Sequence, residues 1–282
     1  MRQVPSLHLE MQRLRLNNKI YVFGGLNSAG TLIALTQVYD IATNTWSTTT
    51  NGTSKHGHNA VAVGGSIYVM GGSTGTGITA SATVQRFKTW DNTWQTMAVI
   101  SYAGVDMAVV NIDDQILYVG GRIASGALTN ATNINSYIPL NNVNQGNVSL
   151  LQDVGKYGHT AAYYSTSTLK YAFFIGGAVN VDTTQFPTAI STSNKVEVYI
   201  PYSENNTRIM FYAPSLQTAR AYGDSAVKGD FLFAFGGASS ASSVLDSVER
   251  THIITIDSTD AAWEYKTAMP RPRYGFNALK IR

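Results

Sequence analysis

The sequence predicts an all-β protein built from five repeated units. A double glycine closes an apolar run containing an aromatic residue five times, beginning at Gly24, Gly71, Gly120, Gly176 and Gly236. These positions lie 47 to 60 residues apart, a period too long for leucine-rich or ankyrin repeats and suited to a four-stranded sheet. Helical periodicity is not apparent, and the apolar runs are bounded by Gly, Asn, Ser or Asp, as strands are.

Within each unit the strands follow a common order. The first opens with an aromatic residue or His, usually followed by Gly, as in HGHNAVAV, YGHTAAYY, YGDSAVK, YGFNALKI and the looser YAGVDMAVV. The second ends in the Gly pair, where the missing Cβ permits positive φ or close backbone approach. The third begins QVYDIATNTW, VQRFKTWDNTW, INSYIPLNN, VEVYIPYSENN and HIITIDSTDAAW.

Aromatic spacing supports a turn after the third strand. Tyr39 precedes Trp46 by seven residues across an Asn-Thr turn, and Phe87 precedes Trp94 in the same way. The last unit keeps Asp257 and Trp263 at the spacing of Asp40 and Trp46.

This pattern resembles the kelch repeat: an aromatic strand ending in Gly-Gly, then Tyr-Asp, a turn, Trp, and a basic residue opening the next unit. The resemblance covers residues 17–282 as one domain and leaves 1–16 as an N-terminal extension or irregular strand. It implies a β-propeller, whose blades pack face to face around a channel. Tyr21, Tyr68, Phe173 and Phe233, each three residues before a Gly pair, are then expected in the core between blades.

The end of the chain looks like the start of another unit. If RYGFNALKIR (273–282) is joined to NNKIYVFGG, the order matches the internal HGHNAVAVGGSIYVMGG. We therefore predict that residues 273–282 supply the innermost strand of the first blade and close a five-bladed ring, because an open ring would expose strand edges. The alternative is that residues 8–16 fill that place and the chain is a fragment of a six-bladed propeller.

Composition excludes several functional classes. The formal net charge is +3 and only 13% of residues are charged, which argues against a nucleic-acid partner. No apolar run is long enough to span a bilayer, and residues 1–16 lack the apolar centre of a signal peptide. The absence of Cys excludes disulfides, thiolate metal sites and Cys nucleophiles.

Four glycosylation acceptor patterns occur in this chain, at Asn51, Asn130, Asn147 and Asn205. With the weakly charged Ser/Thr/Asn surface, they slightly favour an exported or cell-surface glycoprotein. A cytoplasmic location is the alternative, since a sequence rich in Asn, Ser and Thr contains such triplets by chance.

Catalytic constellations known in kelch-like propellers are mostly missing. Copper radical oxidases need a Cys crosslinked to Tyr, sialidase boxes are present only as the fragments TNTW and DNTW, and the iron-binding carboxylate and His run of nitrile-forming kelch proteins is absent. His56 and His58 could face one side of a strand, but nothing nearby supplies further metal ligands. We expect neither a metal nor a cofactor, and no enzyme activity. A sialic-acid mutarotase-like enzyme stays open as the alternative, because one carboxylate and one Arg in the channel mouth could move the proton.

Basic residues at the unit openings suggest a binding surface. Lys55, Lys156, Arg220 and Arg273 each precede an opening, and Arg122 follows the third Gly pair. Equivalent positions of successive blades fall on one ring. The resemblance implies that these five residues occupy the positions at which some kelch domains bind acidic peptides through Arg. The competing interpretation is structural, with these cations bonding neighbouring carbonyls.

The connections after the Gly pairs are rich in Ser and Thr and almost uncharged, as in STGTGITASAT. Loops on a rigid scaffold commonly supply recognition. We therefore expect a non-enzymatic scaffold propeller that binds a protein or an acidic peptide through one face of the ring. A glycan or identical copies of the chain are alternative partners.

Overall fold

The described residues form a five-bladed propeller. A computed structural model describes residues 12–123, 133–150, 155–179, 190–201 and 209–275. They make five four-stranded antiparallel sheets arranged in a ring, which confirms the predicted all-β class and the predicted number of blades. Nothing among the described residues forms a helix with the length and apolar character that a membrane crossing requires.

Blades 1 to 3 each use four consecutive strands. Blade 1 contains β1 (Gln12–Leu16), β2 (Lys19–Phe23), β3 (Thr36–Asp40) and β4 (Thr45–Thr49). Blade 2 contains β5 (His56–Val63), β6 (Ser66–Ser73), β7 (Val84–Lys88) and β8 (Thr93–Thr96). Blade 3 contains β9 (Ala108–Ile112), β10 (Gln115–Val119), β11 (Asn133–Ile138) and β12 (Val143–Leu150).

Blades 4 and 5 also have four strands each, and blade 5 has an additional small hairpin. Blade 4 contains β13 (Thr160–Ser165), β14 (Lys170–Ile175), β15 (Val196–Ile200) and β16 (Ile209–Ala213). Blade 5 contains β17 (Asp224–Lys228), β18 (Phe231–Phe235), β21 (Val248–His252) and β22 (Glu264–Lys266). The hairpin comprises β19 (Ala238–Ser240) and β20 (Ser243–Val244).

The first strand of blade 1 corrects the predicted closure. β1 pairs with β2 along its length, from Leu16 opposite Lys19, so the N-terminal segment fills the place assigned to residues 273–282. The physical reason is a local hairpin: Asn17 and Asn18 both have positive φ, at 50° and 60°, as the two-residue turn that matches strand twist requires. Residues 276–282 lie outside the described part. The boundary drawn at residue 17 falls inside this hairpin.

One packing rule joins successive blades. In blade 1, Tyr21 and Phe23 point toward blade 2 and pack against Ile67 and Val69 of β6. Tyr68 and Met70, which alternate with these two residues along β6, face blade 3. The same arrangement joins blades 2 and 3, 3 and 4, and 4 and 5. Tyr21, Tyr68 and Phe173 therefore lie in the core between blades, as predicted.

The two faces at the junction of blades 5 and 1 pack differently. Phe233 and Phe235 stack on each other, 5.9 Å between ring centroids, and are only partly buried. On blade 1, Ile20 and Val22 are buried in a separate cluster with Tyr39. Among the described residues, neither phenylalanine belongs to a buried core cluster, so Phe233 is less enclosed than predicted.

The first glycine of the pairs in blades 1 to 4 leaves room for the following blade. At Gly71, φ is +64°, and a Cβ would overlap the Met107 methyl group and lie 2.6 Å from the Gly104 carbonyl oxygen. At Gly120, φ is +71°, and a Cβ would overlap the His159 ring and the Lys156 carbonyl oxygen. The Gly pair is therefore a requirement of packing between blades as well as of backbone conformation.

The predicted turn between aromatic residues is confirmed. Tyr39 on β3 faces Trp46 on β4 with ring centroids 5.1 Å apart, and Phe87 faces Trp94 at the same distance. Trp263 is buried and donates its indole N–H to the Pro214 carbonyl at 2.8 Å.

We predict that Gly71→Ala lowers the free energy of unfolding by about 2–4 kcal/mol, because left-handed backbone strain adds to overpacking. Gly65→Ala is the matched control, since Gly65 has φ +77° but nothing within 4 Å of the added Cβ. It should cost about 1 kcal/mol. Urea denaturation of both variants measures the difference, and equal losses would contradict the packing explanation.

Candidate functional site

A series of four backbone hydrogen bonds links the openings of successive units at one end of the ring. The N–H of Asp106 donates to the Gly57 carbonyl at 2.8 Å, that of Gly158 to Asp106 at 2.9 Å, that of Tyr222 to Gly158 at 2.6 Å and that of Gly275 to Tyr222 at 2.7 Å. Each of these residues has positive φ, between 55° and 61°. The Gly pairs and the loops that follow them lie at this same end, which we call the loop-side mouth.

Four of the five predicted partner-binding cations are buried near this mouth. The exposed fractions of Lys55, Arg122, Lys156 and Arg220 are 1%, 1%, 0% and 2%. This burial corrects the expectation that their charges face a partner and favours the competing structural interpretation. Arg273 alone of the five is exposed, and a partner-binding role stays a prediction for it.

The Arg and Lys of blades 4 and 5 are held by buried carboxylates. Lys156 Nζ lies 2.7 Å from Glu197 Oε1, and Arg220 forms an ion pair with Glu249. Arg220 Nη1 also donates to the Gly236 carbonyl at 2.8 Å. Glu249 accepts further bonds from the backbone N–H groups of residues 217 and 218. Removing one partner from such a pair would leave an uncompensated buried charge.

These carboxylates belong to a set of buried polar side chains that the sequence analysis missed. In every blade, one polar residue of the third strand pairs with the second-strand residue that lies two positions before the Gly pair. These polar residues are Gln37, Gln85, Asn135, Glu197 and Glu249. The sequence signal was a polar residue after Val, Ile or Thr at the same point of each third strand. Gln85, Glu197 and Glu249 bond to residues that lie 29 to 41 positions away in the chain, so spacing alone does not reveal the pairing.

Blade 2 carries the same cation with an uncharged partner set. Lys55 donates to Thr83 Oγ1, and the residue equivalent to Glu197 is Gln85, whose Oε1 accepts from the Thr53 N–H at 3.2 Å. Burial lowers the pKa of Lys55 to about 8. The ammonium of Lys55 is therefore the least compensated of the three cations that open blades 2, 4 and 5.

Arg122 completes a cluster at the mouth. Its Nη2 and Nε donate to Asp106 Oδ2 at 2.6 Å and 3.2 Å, and its guanidinium lies 4.8 Å from the centroid of the Tyr157 ring. Tyr222 Oη donates to the same Asp106 oxygen at 3.1 Å. Tyr222 and Tyr157 contact edge to face, with centroids 6.1 Å apart. Arg122 is predictable from the sequence, whereas the roles of Asp106 and Tyr222 depend on their left-handed backbone conformation.

His56, His58 and His159 are buried where blades 2 and 4 begin. His56 Nε2 lies 3.1 Å from the Gly75 carbonyl oxygen and 3.2 Å from that of Gly77, at the loop after the second Gly pair. His58 and His159 are buried against Gly24 and Gly120, and burial lowers the pKa of each to about 3. Among the described residues no three His, Cys, Asp or Glu side chains are grouped as a metal site would need.

Two of the glycosylation acceptors lie on the described surface. Asn51 follows β4 and Asn147 lies on β12, and both are exposed. Asn130 and Asn205 lie outside the described residues. Attachment of glycans stays a prediction for all four.

Five four-stranded blades, each ending its second strand in a Gly pair, define a kelch-type β-propeller. The chain belongs to the attractin/LZTR1 β-propeller family, whose model matches residues 20–279. No curated protein matched the sequence. Among solved structures, that of YjhT is similar, with a TM-score of 0.69 and 16% identity over 92% of this chain and 84% of that chain. At this identity the likeness shows the fold.

We predict a distinctive pH dependence for Lys55→Met. The pKa of Lys55 is 10.5 in the unfolded chain and about 8 in the folded chain, so between these pH values the unfolded chain binds one more proton. The free energy of unfolding of the wild type therefore increases as pH rises from about 8 to 10.5. The Met variant lacks this gain. Its stability relative to wild type should fall by up to about 3 kcal/mol as pH rises from 7 to 10.5, since one pKa unit is about 1.4 kcal/mol.

Denaturant unfolding of both proteins across this pH range measures the difference, which cancels the titration of the tyrosines. A difference that stays constant with pH would contradict the buried, weakly compensated ammonium of Lys55.

Proposed function

We propose that this chain is a protein-binding scaffold propeller that recognises its partner with the loop-side mouth. The family supports this assignment, because an attractin/LZTR1-type propeller suggests a protein-interaction role. The observation that carries the proposal is the surface at this end of the ring. Its loops present exposed hydroxyl groups, including Ser28, Thr76 and Ser242, on a frame whose buried cations already have structural partners.

The rigidity of the frame suits recognition. Each loop begins at a Gly pair whose second N–H is bonded to the segment that opens the next unit, for example Gly121 N to the Lys156 carbonyl at 2.7 Å. Loop ends held in this way present side chains at fixed positions, so little order has to be gained on binding. Hydroxyl groups around the mouth offer both donors and acceptors to a protein surface.

We predict that charges placed on the loop face abolish partner capture. Thr76→Arg combined with Ser242→Arg should remove proteins that the wild-type chain retains from an extract, because both side chains are exposed on loops of this face. Ser167→Arg is the matched control, since Ser167 is exposed in the β13–β14 turn at the opposite end of blade 4. Affinity capture with quantitative mass spectrometry makes the comparison. If only Ser167→Arg lost the partners, the proposed face would be wrong.

A second candidate is an enzyme like YjhT, a sialic acid mutarotase. The specific observation in its favour is that Asp106 and Arg122 bring a carboxylate and a guanidinium together at the mouth. Against it, the Arg122 side chain is 1% exposed and forms an ion pair with Asp106. Its guanidinium is therefore poorly placed to bind the carboxylate of an acidic sugar.

NMR exchange spectroscopy of sialic acid anomers separates the two candidates. The scaffold proposal predicts exchange at the uncatalysed rate with the wild-type chain. Acceleration that disappears in Asp106→Asn would instead establish the enzyme.

A further inference from the structure

Two side chains at the mouth occupy positions that the backbone reserves for glycine. In the series of hydrogen bonds around the loop-side mouth, the equivalent residues are Gly57, Asp106, Gly158, Tyr222 and Gly275, all with left-handed φ. Glycine adopts this conformation freely, whereas Asp tolerates it and Tyr is strained by it. A glycine at position 106 or 222 would relieve the backbone, so the side chains are retained for what they contact. Strained residues of this kind cluster at functional sites.

Tyr222 reaches across blade 4 to Asp106. Its ring lies over Gly158, where an added Cβ would come within 3.0 Å of the ring, and its hydroxyl donates to Asp106 Oδ2 at 3.1 Å. Because Gly158 has no side chain, the ring can cover the mouth between blades 3 and 5. Tyr222 stays partly exposed in this position.

The two oxygens of Asp106 have different surroundings. Oδ2 accepts from Arg122 Nη2, Arg122 Nε and Tyr222 Oη. Oδ1 accepts no hydrogen bond from any described residue and lies beside Gly57, 2.8 Å from where a Cβ would stand. The Asp106 side chain is 8% exposed, so Oδ1 is an acceptor fixed in position at a nearly closed site. A ligand donor can therefore bond to Oδ1 without displacing a donor of the described residues.

Charge decides which donor fits. The Arg122 guanidinium lies behind Asp106 and balances its charge, so the site exerts little net attraction on a cation. An anionic ligand would meet Oδ1, while Arg122 is covered and cannot reach it. A hydroxyl or an amide N–H has neither penalty, and the ring of Tyr222 offers an apolar edge beside the acceptor.

We propose that Asp106 Oδ1 and Tyr222 form a subsite for an uncharged hydrogen-bond donor of the protein partner, a Ser, Thr, Asn or Gln side chain. This proposal rests on the proposed protein-binding function and names the chemistry that the mouth selects. It replaces the expectation of an acidic peptide, which depended on five cations of which four are buried.

An array of short capped peptides tests the subsite directly. In each peptide pool one position holds a fixed residue and all the other positions are randomised. At one position the wild-type chain should prefer Ser, Thr, Asn or Gln over Asp and Glu by about 10-fold or more, as expected for a hydrogen bond to a charged group. Asp106→Asn should reverse this preference. Arg122 and Tyr222 both donate, so the Asn carbonyl would face them and the Asn NH₂ group would face the ligand.

One further variant acts as a control. Ser167→Arg, at the opposite end of blade 4, should not change the profile. Thermal unfolding of each variant confirms that it is folded.

The remaining outcomes separate the subsite from the general function. An acidic preference in the wild type, or an unchanged profile in Asp106→Asn, would overturn the subsite while loop-face capture of partners still stood. If the Thr76→Arg and Ser242→Arg pair also left capture unchanged, the proposed function would fail as well. Binding on a glycan array that Asp106→Asn abolishes, with no peptide signal, would assign the mouth to a carbohydrate and overturn both.

Discussion

The propeller depends on one backbone hydrogen bond repeated between its units. The second glycine of each pair donates its N–H to the carbonyl of the residue that opens the next unit, over 2.7–2.9 Å at all five pairs. These glycines have φ between 83° and 104°, a conformation that side chains rarely adopt. The bond fixes where each innermost strand begins. It therefore sets the spacing of the blades and the width of the mouth.

Two basic residues that accept this hydrogen bond are buried. The carbonyls of Lys156 and Arg220 are held by the preceding Gly pairs, and the side chains of both are directed into their own blades. There the charge needs a partner, and Glu197 and Glu249 supply it from the third strand. The positions that looked most suited to capture an acidic ligand are thus among the most enclosed in the ring. Among the described residues, a fixed carboxylate oxygen, the hydroxyl-bearing loops and the exposed Arg273 remain accessible at the mouth.

Sequence pattern predicts the features of this fold that are local or periodic. The five Gly pairs, the alternation of the strands and the facing of Tyr39 on Trp46 all follow from spacing. The hairpin at Asn17 and Asn18 was within reach as well, because two consecutive Asn residues favour a turn with positive φ. The prediction that residues 273–282 form the first strand of blade 1 was wrong, because it depended on the repeated C-terminal motif and not on this local turn.

The candidate site was predictable only in outline. Arg122 could be found from its place after a Gly pair, but its pairing with Asp106 requires knowledge of the backbone at both residues. Tyr222 contacts Asp106 across 116 residues of sequence, and nothing in the motif YGD distinguishes it from the other openings. Left-handed conformation at a non-glycine residue is a property of the folded ring, so the structure was needed to reveal these two side chains.

Hydrogen exchange of a captured complex tests the central claim, that the mouth end of a rigid ring binds a protein. With the partner bound, amide protection is expected to increase in the loops after the Gly pairs, such as residues 26–35 and 74–83, and in the segment around Tyr222. The turns at the opposite end, such as residues 89–92 and 166–169, should exchange as in the free chain. Protection confined to those opposite turns would contradict the account.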